Sequence, residues 1–158
     1  MKSGLIKMTN RLHKVLQKVI VTAVLSVLLV PAAAVENELV MDKTFFKGFS
    51  VLNSLVRDEF IEKQMNRIVI GRGTIISISE QERYKKKYRI VVESSDAGEY
   101  GQRFRFYIFT DNKDTLDLLT LDSSFEFKGQ LAGFTPLDTK RTQYILDIIF
   151  MDGSTIIE

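Results

Sequence analysis

Cysteine and tryptophan are absent from this 158-residue chain, and histidine occurs once, at His13. Without cysteine there are no disulfides, so the fold must be held by its core, and no thiol is present to carry a lipoprotein-type anchor. His13 lies in a basic stretch, Met1–Lys18, that reads as part of a removable leader. The remainder then has neither histidine nor cysteine. That excludes Ser-His-Asp and Cys-His nucleophilic chemistry, imidazole acid–base work and a His/Cys zinc site. A phosphate-binding glycine loop, G-x-S-x-G, H-E-x-x-H and a dinucleotide fingerprint are missing too. Carboxylates, lysine and tyrosine remain as reactive groups. The chain therefore reads as non-enzymatic, and no catalytic residue, metal or cofactor is assigned to it.

The leader carries five positive charges and no negative one, at Lys2, Lys7, Arg11, Lys14 and Lys18. An uncharged apolar run, Val19–Val30, comes next, and then Pro31-Ala32-Ala33-Ala34. A basic start, an apolar middle of about 7–15 residues and an A-x-A-like exit describe a secretory signal peptide over residues 1–34. This predicts an exported protein, periplasmic or secreted. The rival reading is a retained anchor: Val19–Val35 is 17 uncharged residues with Pro31 included, the short edge of the roughly 20 that a spanning helix needs. It would hold the chain at the inner membrane through residues 19–35. A buried amphipathic helix, the third reading, lacks a polar face.

Losing the leader removes five of 22 Lys+Arg and none of 20 Asp+Glu, which turns a net charge of +2 into −3. The basic character belongs to the leader. A nucleic-acid binder draws its affinity largely from a basic domain that neutralises phosphates, so the acidic remainder speaks against nucleic acid as a partner. About 124 of the 158 residues are left, enough to bury a core without staples.

Val35–Val40 reads as a linker, and Asp42 to about Arg67 as a helix. Phe45, Phe49, Leu52, Val56 and Phe60 recur at spacings of four, three, four and four, which places them on one face. Phe46, Leu55 and Ile61 widen that stripe. Asp42 or Thr44 can cap the start, and Ser50 a second start if Gly48 breaks the segment. The apolar face is expected to pack on the domain C-terminal to it; the alternative is a partner-binding helix. From Arg67 the period becomes alternating. Ile68–Ser79 reads as a first strand with Gly71 and Gly73 inside it, where glycine signals a bulge or sharp coil. Gln81–Lys87 is a polar connection, Tyr88–Ser94 a second strand and 96–101 a turn-rich loop. Arg103–Thr110 is a third strand, with Phe104, Phe106 and Ile108 on one face and Arg103, Arg105 and Tyr107 on the other. Asp111 or Asn112 caps a short helix over Lys113–Leu121. Ser124–Gly133 and Thr142–Met151 are the fourth and fifth strands, and Asp152-Gly153 turns the chain into Ser154–Ile157.

Three strands, a short helix and two more strands, with glycines in a long first strand, resemble the OB-fold, a five-stranded partly open barrel. The resemblance covers about Arg67–Ile157. Glu59–Ile78 (EFIEKQMNRIVIGRGTIISI) and Phe125–Gly133 (FEFKGQLAG) look like the opening and fourth strand of secreted bacterial OB domains of the tRNA-anticodon-binding-like type. Where those domains often read G-K-x-V, this chain has Met65-Asn66-Arg67-Ile68. The implied organisation is a leader at 1–34, a linker and amphipathic helix at 35–66, and an OB-type domain at 67–158. An SH3-like or other small β-barrel is the structural alternative.

The run Arg83-Tyr84-Lys85-Lys86-Lys87-Tyr88-Arg89 interleaves five cations with two tyrosines. Cations for phosphates and rings for stacked bases are what a single-stranded nucleic-acid site uses, and OB-folds present such a face around strands two and three. Tyr84, Lys86, Tyr88 and Arg89, joined by Arg103, Arg105 and Tyr107 and by Arg72 from the first strand, are the candidate ligand-binding residues. A solvated hairpin end is the plainer reading, since Glu80 and Glu82 offset the charge and lysines keep a sheet edge from pairing. In an exported compartment the expected partner is an anionic ligand or an envelope protein. A single-stranded nucleic-acid binder and a membrane-anchored subunit of an envelope complex are the alternatives. Asp111, Asp114, Asp117 and Asp122 lack the spacing of a calcium loop, and capping accounts for Asp111 and Asp114. Most phenylalanines read as core; Phe134, in a turn, is the candidate for partial exposure.

Overall fold

The computed structural model describes residues 38–151, all within one compact unit. The leader expected at 1–34 and the turn and strand expected at 152–157 lie outside the described residues. The linker expectation is corrected at its end. Leu39–Met41 form a short strand, β1, parallel to β2 (Ile68–Arg83), with Leu39 opposite Val69 and Met41 opposite Gly71.

The single helix expected over 42–67 is two, α1 (Lys43–Ser50) and α2 (Ser54–Glu62). Asp42 caps the first, accepting the Phe45 N–H at 3.0 Å. The break falls at Val51-Leu52 rather than at Gly48, because Asn53 takes the second cap: its Oδ1 accepts the N–H groups of Leu55 and Val56 at 3.1 and 3.0 Å. Ser50 instead donates its hydroxyl to the Lys47 carbonyl. The break also turns the apolar stripe. Phe46, Phe49 and Ile61 are buried, whereas Val56 is exposed and Leu55 is 82% exposed.

β3 (Lys86–Glu93), β4 (Arg103–Thr110), β5 (Ser124–Pro136) and β6 (Gln143–Phe150) complete the strands. They close a five-strand ring in the order β2-β3-β4-β6-β5, with β5 returning to β2. β4 and β6 run parallel and the other ring pairs antiparallel. This is the OB order, a mainly-β fold with few short helices. The loop expected at 96–101 begins as a short helix, α3 (Ser95–Gly98), and the helix before β5, α4 (Lys113–Leu118), stops three residues early. Asn112 caps it by accepting the Thr115 N–H. No helix among the described residues is long and apolar enough to cross a membrane.

β2 serves two neighbours. Ile68–Thr74 pairs with β5 and Thr74–Arg83 with β3. Such a strand must coil sharply at the hand-over, and there a Cβ on Gly73 would lie 2.2 Å from the Glu93 carbonyl oxygen. A register shift between Ile75 and Ser77 adds twist. The polar connection is also shorter than expected. β2 runs to Arg83, β3 begins at Lys86, and Tyr84-Lys85 make a two-residue turn with φ 55° and 59°. Neither is glycine, and the left-handed region costs an L-residue roughly 1–2 kcal/mol.

The core is aromatic. α1 lies over the end of the ring where β4 and β6 begin: Phe46 meets Phe104 at 5.0 Å, and Phe49 stands edge-on to Phe104 and Tyr144 at 5.3 and 5.6 Å. Each such ring contributes roughly 1.5–3 kcal/mol by burial. Polar ties hold the helices in place. Buried Arg57 donates to the carbonyls of Ser50 and Arg141 at 2.6 and 3.0 Å. Asp58 accepts from the Tyr144 hydroxyl at 2.8 Å and from Arg141 at 2.6 Å. The helical segment therefore packs on the ring, as its apolar face implied. Beside α4, Leu116 and Leu119 pack against the same core, and Phe134 is half-buried against it.

Candidate site on the outer face of the second and third ring strands

Alternation sends Ile90, Val92, Phe104, Phe106 and Ile108 inward, which leaves Arg89, Val91, Glu93, Arg103, Arg105, Tyr107 and Phe109 on the outer face of β3 and β4. Strand register lines these up in rows. Ser79, Arg89, Phe109 and Ile149 form one, and Val91, Tyr107 and Asp147 the next. The tip of the β2–β3 hairpin bends back over this face. The Tyr84 ring stands edge-on to Phe109 at 5.3 Å, and its hydroxyl donates to Asp147 Oδ2 at 2.8 Å. Arg83 Nη1 reaches the same oxygen at 3.0 Å, with its guanidinium 5.0 Å over the Tyr84 ring. Under this cover Phe109 is 1% exposed and Asp147 5%, although both point away from the ring interior.

Gly133, opposite Asp147 on β5, makes room for the arrangement. A Cβ there would stand 3.1 Å from the Tyr84 hydroxyl and 3.2 Å from Asp147 Oδ2. Burial, and then the hydrogen bond to Asp147, raise the Tyr84 phenol above its usual pKa of 10. The face is not fully satisfied. Arg89 stacks over Tyr107 at 4.8 Å and has no carboxylate partner among the described residues. Its Nε, Ser79 Oγ and Asp147 Oδ1 are buried without a hydrogen-bond partner. Such atoms are few in native folds and each is costly.

The other candidates are drawn into pairs. Arg103 and Arg105 converge on Glu93 at 3.0 and 2.9 Å. Burial pushes the Glu93 carboxyl up, but hydrogen bonds from Arg105 and Arg103 outweigh it, and the pKa lies below the usual 4.5. Lys86 pairs with Asp111 at 3.2 Å, and Asp111 also accepts the Lys87 N–H at 2.9 Å. Arg72 sits on the half of β2 that pairs with β5, opposite Glu126, and is bound to Asp96 at 3.1 Å; it stands apart from the face. Tyr88 lies between Glu80 and Thr110, out of step with Arg89 by alternation. Tyr84, Arg89 and Tyr107 are thus brought together, Arg103 and Arg105 lie at the far end of the same face, and Arg72, Lys86 and Tyr88 do not join. Among the expected carboxylates, Asp117 pairs with Lys113 at 2.9 Å and Asp122 occupies a turn at φ 64°.

Phe109, Gly133, Ser79 and Asp147 were not foreseen as members of the site. For Asp147 a signal existed: it is the one charge in the apolar strand TQYILDIIFM, and charged residues are seldom fully buried unless paired.

No family model matches the chain, and no curated protein matches it. Among solved structures it is similar to the asparaginyl-tRNA synthetase of Entamoeba histolytica, seen alone (23% identity, TM-score 0.36) and with asparaginyl-adenylate (21%, 0.35). Each match covers 59% of this chain and 21% of the synthetase, so the chain spans about a fifth of that enzyme's length. A lipoprotein of Klebsiella pneumoniae with a proposed nucleic-acid-binding role is similar at 18% identity and TM-score 0.44, over 73% of this chain and 92% of that one. At these TM-scores the fold assignment rests on the strand order itself.

Proposed function

We propose that the protein is an exported, non-catalytic OB-type module of the cell envelope, of the secreted bacterial kind, that engages a protein partner through the outer face of β3 and β4. One observation carries this reading. Arg89 lies over Tyr107 without a carboxylate, while Arg103 and Arg105 on the same face already hold one. A single nucleic-acid strand needs a track of free cations and open rings, and on this face Arg103 and Arg105 would have to give up Glu93 to meet phosphates while Tyr84 is tied to Asp147. Protein interfaces depend instead on a few tyrosine and arginine anchors with satisfied surroundings. The leader, Met1–Ala34, supports export, and the lack of recognisable reactive constellations supports a binding role.

The test places a photo-crosslinking residue at Tyr107 in the full chain, expressed in its own host, with and without Arg89→Ala. The expected result is one protein adduct in the envelope fraction, lost in the variant, on a chain whose mass begins near Val35. Steeply salt-dependent binding of single-stranded oligonucleotide that requires Tyr84 and Tyr107 would replace this reading with the nucleic-acid one. An intact Met1 in the membrane fraction would convert the module into an anchored subunit.

A further inference from the structure

Charge on this domain is segregated. Residues 35–158 carry 17 Lys+Arg and 20 Asp+Glu, yet six of those cations lie on or beside the outer face of β3 and β4 with only three of the carboxylates. Each carboxylate is already engaged: Asp147 holds Arg83, Asp111 holds Lys86, and Glu93 holds both Arg103 and Arg105. The surplus is Lys87, Arg89 and one of the two arginines on Glu93. Glu80 on β2 does not offset it, because it lies opposite Tyr88 and so faces the other side of the sheet from Ser79 and Arg89. Glu82 and Lys85, both exposed at the hairpin tip, balance each other.

The surplus is strung along β3. Lys87 and Arg89 are two residues apart on one face, and Glu93, with Arg105 opposite it, lies four further on, a run of about 20 Å. Within that run Arg89 is held over Tyr107 at 4.8 Å by the ring, and no acceptor among the described residues reaches its guanidinium. A guanidinium steadied on an aromatic face loses less freedom when it takes a carboxylate.

We propose that this face binds an acidic segment of the protein partner, with Arg89 taking one carboxylate and the surplus at Lys87 and at the Arg103–Glu93–Arg105 cluster drawing in the others. This deepens the reading above and rests on it. The partner is acidic protein rather than nucleic acid because a base needs an open ring. Here Arg89 covers Tyr107, and Tyr84 is tied to Asp147. A carboxylate needs no ring. The segregation also orients the encounter, since the rest of the domain repels what this face attracts.

The probe is a rhodamine-labelled peptide of alternating glutamate and glycine, long enough to span the run, titrated into the full-length protein and followed by fluorescence anisotropy. Saturable binding that weakens as salt rises is expected, with none for the glutamine–glycine counterpart. Arg89→Gln should weaken it about fivefold or more. Lys63→Gln, at the end of α2 and off the face, should change it less than about twofold. Glu93→Gln should tighten it, because two arginines lose their internal partner. Absence of binding, equal binding of the two peptides, equal loss in Arg89→Gln and Lys63→Gln, or weaker binding in Glu93→Gln overturns the proposal. Should Arg89→Gln fail to fold, Lys87→Gln, exposed in the native chain, takes its place with a loss of about threefold, and no loss would overturn the proposal. A failed peptide titration beside an Arg89-dependent protein crosslink sinks the acidic partner alone. Tighter binding of a thymidine oligonucleotide that needs Tyr84 and Tyr107 sinks both readings.

Discussion

The helix-closed end of the ring and its hairpin-covered face are both lined with aromatic rings, yet they are built on different terms. At the helix end, Phe46, Phe49, Phe104 and Tyr144 interlock, and most polar groups among them find partners: Asp58 takes Tyr144 and Arg141, and Arg57 gathers three carbonyls although its Nε is unpartnered. At the hairpin face, Phe109 is covered by Tyr84 and Arg83 from the tip of one hairpin, and three buried polar atoms stay unpartnered. The first arrangement is what stability requires of a core. The second carries the larger deficit of the two. On the proposed reading, stability falls to the first region and recognition to the second.

Substitutions that strike the two regions separately put this division to the test. Phe104→Ala should have the largest effect, about 3–5 kcal/mol, because it empties the centre of the aromatic end; urea unfolding with an unchanged slope measures it. Gly133→Ala should cost about 1 kcal/mol, the low end of overpacking. Its main sign should be local, with faster hydrogen exchange at the hairpin amides while β4 and β6 stay protected. A global loss as large as that of Phe104→Ala would erase the distinction between the regions.

The smallest effect belongs to Glu93. Its folded pKa is depressed, so its contribution is present above the unfolded value near 4.5 and is lost as pH falls through the folded value. Glu93→Gln should therefore be less stable than wild type at neutral pH, by at most about 1 kcal/mol for so exposed a network. The gap should close in acid. A gap that widens as pH falls would mean that the arginines are not what holds Glu93 ionised.

Much of the ring was legible in the chain. The inward positions of Phe104, Phe106 and Ile108 are set by a period of two, and Gly73 marks the coil that lets β2 face both β3 and β5. Asn53 was less visible, because a cap competes with nearby alternatives such as Ser50, and the winner decides which side of a helix becomes buried. Of the candidate site, Tyr84, Arg89 and Tyr107 could be named from composition and alternation. Their gathering under a folded-back hairpin could not, nor could the exclusion of Arg72 and Lys86.

By itself the sequence determined the strand periodicity, the helix between the third and fourth strands of the ring in chain order, the lack of histidine and cysteine in residues 35–158, and the net acidity of that stretch. These are properties of neighbours along the chain, set by side-chain alternation and residue type. Only the tertiary structure decided which cations are neutralised and which tyrosine is buried. Arg105 meets Glu93 across 12 residues and Tyr84 meets Asp147 across 63. A charge pair or a hydrogen bond acts over a few ångströms, and separations that small between distant residues exist only after ring closure has set the register.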